Sequence, residues 1–313
     1  MKCLIIDEVY AGISEVLGKY MQIDTKILPT QDELAAMIPD YDVLIMRVDP
    51  KIDKRILDAA KNLKVIGVCS VGLNHIDLET AKANGVQVYN APGMNANAVA
   101  ELTISKLLDM SRHVVPAHID VTKNHEWDKY KFVGRELRGK TLGIMGFGRI
   151  GRRVGELARA FKMDIVAYDP YLKQEDFEKE HAKGLSTEEL LKVSDYVTIH
   201  VPLTPETKDL VSAESIEYMK DDCNVLNMSR GGIVNEKDMY EALKAGKIGG
   251  YATDVMENEL AGGGLTGNDT FASPLFECDN FLVSPHLGAQ SVDASRDIGI
   301  YITAKVREAL NLQ

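Results

Sequence analysis

Cysteine is scarce and scattered in this chain. Cys3, Cys69, Cys223 and Cys278 form no close pair, so metal-site and redox spacings are absent and a reduced cytoplasmic setting is expected. Cys69 lies near a candidate site but reads as a small buried hydrophobe. Positive charge is also short: 36 Lys and Arg against 47 Asp and Glu give a net charge of −11 over 313 residues. That balance argues against a nucleic-acid or anionic membrane surface, which needs clustered Lys and Arg. An acidic protein that handles small anions must concentrate positive charge locally, which gives individual arginines weight. No apolar run escapes charged residues for long enough to span a bilayer. The apolar start of MKCLIIDEVY is broken by Asp7 and Glu8, too soon for a signal-peptide core. Repeats and low-complexity tracts are missing too.

Short apolar, β-branched runs are abundant: CLIID (3–7), DVLIMR (42–47), KVIGVCS (64–70) and VQVYN (86–90), with helical patterns between them. The alternation resumes with TLGIMGFG (141–148), DIVAYD (164–169), DYVTIHV (195–201), NVLNMS (224–229), GGYATDV (249–255) and NFLVSPH (280–286). Strands alternating with helices imply crossover units and parallel sheets covered on both faces, hence two doubly wound α/β domains. Residues 96–124 carry helical apolar spacing, with a stop expected near Pro116. HEWDKYKFVGRELRGK follows as an extended arm, suited to grip a second subunit. The amphipathic C-terminal helix is expected to pack back on the first domain.

The stretch GIMGFGRIGRRVGELARAF holds Gly146, Gly148 and Gly151 in G-x-G-x-x-G spacing after a strand and before a helix. The first glycine makes the tight turn, the second admits a pyrophosphate, and the third lets helix and strand close up. The helix start offers N–H groups and a positive dipole to phosphates. The next strand ends in Asp169, about 20 residues on, where a carboxylate accepts from a ribose 2′-OH and repels a 2′-phosphate. NAD is therefore favoured over NADP.

Ligands of a parallel sheet collect beyond the carboxyl ends of its strands. Arg230 follows one strand, Asp254, Glu257 and Glu259 the next, and His286 the last. This set suits oxidation of a 2-hydroxy acid. Arg pairs bidentately with a carboxylate and polarises the neighbouring oxygen. His takes the hydroxyl proton, and a nearby carboxylate favours the imidazolium so formed. Taken singly, His286 could be a turn residue, Arg230 a carbonyl binder and Glu259 a solvated side chain; together they would need three coincidences.

From SVGLNHIDL and NAPGMNANAVAELT through GKTLGIMGFGRIG and VPLTPET to NMSRGGIVNE, YATDV and SPHLGA, the chain resembles the D-isomer-specific 2-hydroxyacid dehydrogenases, most nearly the phosphoglycerate branch. The resemblance implies Arg230 as substrate anchor, Glu259 as carboxylate partner and His286 as acid/base. The family's catalytic Glu lies five positions after the Asp of the D-V element, which selects Glu259 and leaves Glu257 as rim. Leu260 replaces the usual proline, and GGGLTGNDT looks like an unusual loop. NAD would meet Arg149, Ile150, Asp169, the backbone of His200, Val201 and Pro202, then Thr207, Met228, Ser229 and Gly288, with Asp254 on the nicotinamide amide. Val71, Gly72 and Leu73 would offer N–H groups to the substrate carboxylate, beside Asn74 where many members carry Asp. No metal is implied. The expected architecture is a flavodoxin-like substrate domain (1–96 plus 288–313) and a Rossmann NAD domain (97–287), with a cleft between them.

The substrate implied by the branch is D-3-phosphoglycerate. Yet Arg47-Val48-Asp49-Pro50 stands where phosphoglycerate enzymes usually show Arg-Ser-x-Thr, which keeps Arg47 but loses two hydroxyls and adds a negative charge. Lys129 and Lys131 on the arm could supply charge, though solvated lysines are the commoner case. Glycerate, glyoxylate and lactate types are the alternatives. A redox-sensing corepressor of the same fold is disfavoured by the acidic charge, and a formate dehydrogenase by Glu259. A homodimer through residues 96–139 is expected.

Overall fold

The computed structural model describes residues 1–257, 259 and 271–312. Two compact units result, one from residues 1–95 and 290–312, the other from Ala96–Glu259 and residues 271–289. The unusual glycine loop expected at 262–270, and Leu260, lie outside the described residues.

The first unit is a five-stranded parallel sheet of order β2-β1-β3-β4-β5. Its strands are β1 (Lys2–Ile5), β2 (Gln22–Thr25), β3 (Val43–Met46), β4 (Val65–Val68) and β5 (Gln87–Tyr89). This is the flavodoxin-like order. The continuous apolar runs mark strands buried on both faces. Leu4, Leu44, Met46, Ile66 and Val68 pack to one side with Ile56 and Leu57. Cys3, Ile5, Val43, Ile45 and Val65 pack to the other, against Ile298, Ile302 and Val306 of the Val292–Ala309 helix. Gly67 marks that contact: a Cβ there would stand 2.7 Å from both Ile302 and Ile45 side chains.

The second unit is a seven-stranded parallel sheet of order β12-β11-β10-β9-β6-β7-β8. Its strands are β6 (Thr141–Met145), β7 (Asp164–Tyr168), β8 (Lys183–Gly184), β9 (Tyr196–Ile199), β10 (Asn224–Asn227), β11 (Gly250–Thr253) and β12 (Phe281–Val283). The order reverses between β6 and β9, which creates the switch point where such sheets bind nucleotides.

Two expectations change. The helix over 96–124 ends at Arg112, a turn earlier than placed from Pro116. Pro116 has no N–H for the Arg112 carbonyl, and His113 takes a left-handed φ of 56°. The side chain of Asp109 then accepts the freed Val115 N–H at 2.6 Å, and the chain restarts as Val114–Ile119 and a wider turn, Asp120–Asn124. The arm is not fully extended either: Lys129–Phe132 forms a 3-10 turn started by Asp128, which accepts from the Tyr130 N–H. Among the described residues, no helix is long and apolar enough to cross a membrane.

Candidate functional site

The glycine-rich turn closes the gap between β6 and the Arg149–Ala160 helix. Gly146 has φ +90°, and a Cβ on it would lie 2.6 Å from the His200 carbonyl oxygen. A Cβ on Gly151 would strike the Gly146 carbonyl, so the helix can approach the turn only with glycine there. Gly148 differs, because a Cβ on it would meet nothing within 4 Å. It is the N-cap of the helix and makes no side-chain cap. Arg149 and Ile150 begin that helix. This is a fitting cradle for a diphosphate. The Asp169 carboxylate is aimed at the same turn, accepting from Phe147 N–H and Tyr171 N–H, both at 3.0 Å.

Across the switch point, β9 leads into His200, Val201 and Pro202. His200 Nε2 meets Thr198 Oγ1 at 3.0 Å, while its Nδ1 is buried without a partner among the described residues. Burial pushes its pKa down to about 3, so the ring is neutral at ordinary pH. The loop beyond is tied by Thr207, whose hydroxyl donates to the Pro202 carbonyl at 2.6 Å and accepts from Thr204 N–H at 2.8 Å. Ser229 Oγ joins β10 to this loop by donating to the Val201 carbonyl at 2.7 Å. Met228 is buried beside it.

Arg230 sits on a turn held by Asn227, whose amide donates to the Arg230 carbonyl at 2.9 Å and whose oxygen accepts from Ser229 N–H at 3.1 Å. One guanidinium nitrogen, Nη1, donates to the Ser229 carbonyl at 2.6 Å. Among the described residues the rest of the fork remains for another acceptor.

Asp254, at the end of β11, is buried and organises the segment after β12. Its carboxylate accepts from Leu287 N–H at 2.8 Å, Gly288 N–H at 2.7 Å and the Ser284 hydroxyl. Its own carbonyl accepts from His286 N–H at 2.9 Å. These bonds hold His286 at φ +54°, a left-handed conformation that costs a non-glycine residue roughly 1 kcal/mol or more. In that pose His286 Nδ1 lies 3.2 Å from Glu259 Oε2. An ionised carboxylate only accepts, so it selects the Nδ1–H tautomer and leaves Nε2 as the working nitrogen. Both side chains keep solvent access, 49% for His286 and 33% for Glu259.

The remaining predicted residues belong to the first unit. Ser70 Oγ donates to the carbonyls of Arg47 and Gly72 at 3.1 and 3.2 Å, and Asn90 holds the Val71 carbonyl at 2.6 Å. The N–H groups of Val71, Gly72 and Leu73 donate to no acceptor among the described residues. Arg47 Nη1 donates to Gln290 Oε1 at 3.2 Å, and its backbone N–H to Asp7 at 3.2 Å. Burial, with Asp7 nearby, raises the Asp49 carboxyl above the usual range.

Sequence reasoning singled out charged residues at the ends of the second sheet's strands but passed over the polar residues that hold such segments: Asn227 and Ser284 in the second unit, and Ser70 beside Arg47 and Gly72 in the first. The first two open the quoted motifs NMSRGG and SPHLGA, and a strand-end polar residue two or three places before a charged one is the available signal.

A parallel nucleotide-type sheet with Arg, Glu and His at its carboxyl edge defines a dehydrogenase-like class of site. A family model described as D-isomer specific 2-hydroxyacid dehydrogenase, NAD binding domain, matches residues 104–288, and the chain belongs to that family. It is 37% identical over 99% of its length to a D-3-phosphoglycerate dehydrogenase of Methanocaldococcus jannaschii, covering 57% of that protein. It is 38% identical over 90% of its length to a hydroxypyruvate reductase of Thermotoga maritima, covering 89% of it. The crystal structure of an Aquifex aeolicus D-lactate dehydrogenase with NAD and lactic acid superposes with a TM-score of 0.84 at 27% identity, over 99% of this chain and 96% of that one. The chain thus spans little more than half of the phosphoglycerate dehydrogenase it resembles.

Proposed function

We propose that the protein interconverts a D-2-hydroxy acid and its 2-keto acid with NAD, and that the pair is D-3-phosphoglycerate and 3-phosphohydroxypyruvate, a step of serine biosynthesis. The observation that carries the reaction is the His286–Glu259 pair at 3.2 Å, on the strand-end edge that also holds Arg230 and the glycine-rich turn. When bound, NAD supplies the acceptor for the hydride leaving the hydroxyl-bearing carbon. His286 Nε2 takes the hydroxyl proton, Glu259 stabilises the resulting imidazolium, and Arg230 binds the carboxylate through the free part of its fork. The residue 1–95 unit serves as substrate domain through the N–H groups of Val71, Gly72 and Leu73. Asp169 reads the ribose of NAD.

One observation favours a second substrate, D-glycerate with hydroxypyruvate. Asp7 and the raised carboxyl of Asp49 lie around Arg47, where a phosphate would gain little. Turnover of a 2-keto acid panel, scored by NADH oxidation, decides between them. Preference for phosphohydroxypyruvate upholds the first pair, preference for hydroxypyruvate the second, and no turnover of any 2-keto acid refutes the dehydrogenase.

The chain acts as a homodimer in the cytoplasm in this reading. Trp127 and Tyr130 stand 89% and 76% exposed on the arm, as an interface in waiting would require. The four thiols are unpaired. Sedimentation showing only monomer at micromolar concentration refutes the dimer.

A further inference from the structure

Glu236 and Glu257 exchange backbone hydrogen bonds in both directions. Glu257 N–H donates to Glu236 Oε1 at 2.7 Å, and Glu236 N–H donates to Glu257 Oε1 at 3.0 Å. Each end of this clasp reaches a residue of the reaction centre. Glu236 opens the Glu236–Lys244 helix, six residues after Arg230. Glu257 lies two residues before Glu259, whose N–H donates to the Met256 carbonyl at 3.1 Å. A third contact runs parallel to the clasp: a Cβ on Gly231 would collide with the Met256 carbonyl and stand 2.7 Å from Glu257 N. The loop that carries Arg230 is thus laid flat on the turn that carries Glu259.

Helix capping does not account for the arrangement, since Asn235 already caps this helix by accepting from Asp238 N–H at 3.1 Å. Two carboxylates so close would repel if both were ionised. Burial raises the Glu236 carboxyl, with Glu257 and Glu259 adding to the shift and the bond from Glu257 N–H opposing it. A neutral carboxyl keeps an oxygen that accepts, so the clasp survives without the charge.

We propose that Glu236 is a positioning residue: its bond to Glu257 N–H fixes the Glu259 turn against the Arg230 loop, so that the acid/base pair and the substrate anchor are set by one clasp. The role presupposes the dehydrogenase reading above. Misplacement of a catalytic group by about 1 Å costs up to about 10²-fold in rate, so looseness at this joint is readable in kcat.

The test compares wild type with Glu236→Ala and Glu236→Gln, measuring kcat, KM and NADH binding by fluorescence, with amide exchange of the peptide holding Glu257 and Glu259. Glu236→Ala is expected to lower kcat by about ten-fold or more, with NADH affinity within about two-fold and faster exchange at Glu257. Glu236→Gln retains the acceptor oxygen and is expected to keep kcat within about two-fold and to preserve the protection. Unchanged exchange in Glu236→Ala overturns the clasp, as does a loss in Glu236→Gln equal to that in Glu236→Ala. Loss of NADH binding in Glu236→Ala also overturns it, since the residue would then be a general structural one. If wild type reduces no 2-keto acid, the positioning role falls with the dehydrogenase reading, and exchange still reports whether the clasp forms.

Discussion

The two flanks of the seven-stranded sheet end in different materials. Around β6 and β7 the groups are backbone amides, glycines, the helix-opening Arg149 and one carboxylate, Asp169, that is itself bonded to N–H groups. Around β10, β11 and β12 they are long charged side chains, each held by a neighbour: Arg230 by the Asn227 turn, His286 by Asp254 and Glu259. Glycine does its work on the first flank by what it leaves out, since Gly146 and Gly151 permit close contacts and Gly148 leaves an open side. On the second flank the work is done by buried acceptors that hold a histidine in a costly backbone conformation. A nucleotide site needs shape and donors, while proton transfer needs atoms held at fixed distances.

That contrast breaks most severely at His286. His286→Ala should lower kcat by about 10³-fold with NADH affinity within about two-fold, measured by stopped-flow reduction and fluorescence titration. Arg230→Ala should lower kcat/KM by a similar factor, about 10³-fold, since it removes a charge-assisted pair to the substrate carboxylate. A variant at either position that keeps wild-type turnover ends the assignment. Glu259→Gln is milder, about 10²-fold in kcat, because the amide still touches Nδ1 but no longer stabilises the imidazolium.

The opposite flank should fail differently. Asp169→Asn keeps an acceptor for Phe147 N–H yet removes the charge. NADH KM should rise about ten-fold, NADPH should begin to be used, and kcat at saturation should stay within about two-fold. Equal losses of kcat on both flanks would erase the distinction.

His200, between the flanks, gives the smallest effect, in stability against pH. Its folded pKa is about 3 against an ordinary 6.5, so the unfolded chain binds the extra proton first. Stability from this group is fully present above pH 6.5 and falls as pH drops toward 3, by up to about 1.4 kcal/mol per pH unit. Thermal unfolding of His200→Gln should show a shallower loss of Tm between pH 7 and 5 than wild type. An equal slope in both would show that His200 is not the group responsible.

Much of this was legible in the sequence wherever burial on both faces wrote continuous apolar runs, as in VLIM and VIGV. Two of the four edge strands, β2 and β8, were not. QIDT carries one aliphatic residue and KG none, because an edge strand half open to solvent needs no apolar run. The helix end at Arg112 was misplaced because the sequence marks the proline and not the carbonyl one turn earlier that it starves. The residues proposed for the reaction centre stood out because they are charged side chains at strand ends within motifs. Their supports escaped, since Asn227 and Ser284 look like ordinary strand-end polar residues. Glu257, read as rim, turned out to face Glu236 across 21 residues of chain, a pairing that no local pattern encodes.

The helix Val292–Ala309 against Gly67 has a consequence for synthesis. A ribosome releases β1 to β5 before β6 to β12, yet Ile298, Ile302 and Val306, which cover one face of the first sheet, emerge only after the second. Until then Cys3, Ile5, Val43, Ile45 and Val65 lack their cover, while the sheet from β6 to β12 can already close behind them. A sheet begun early is therefore completed only after the following one, and its open apolar face needs protection from other chains while it waits.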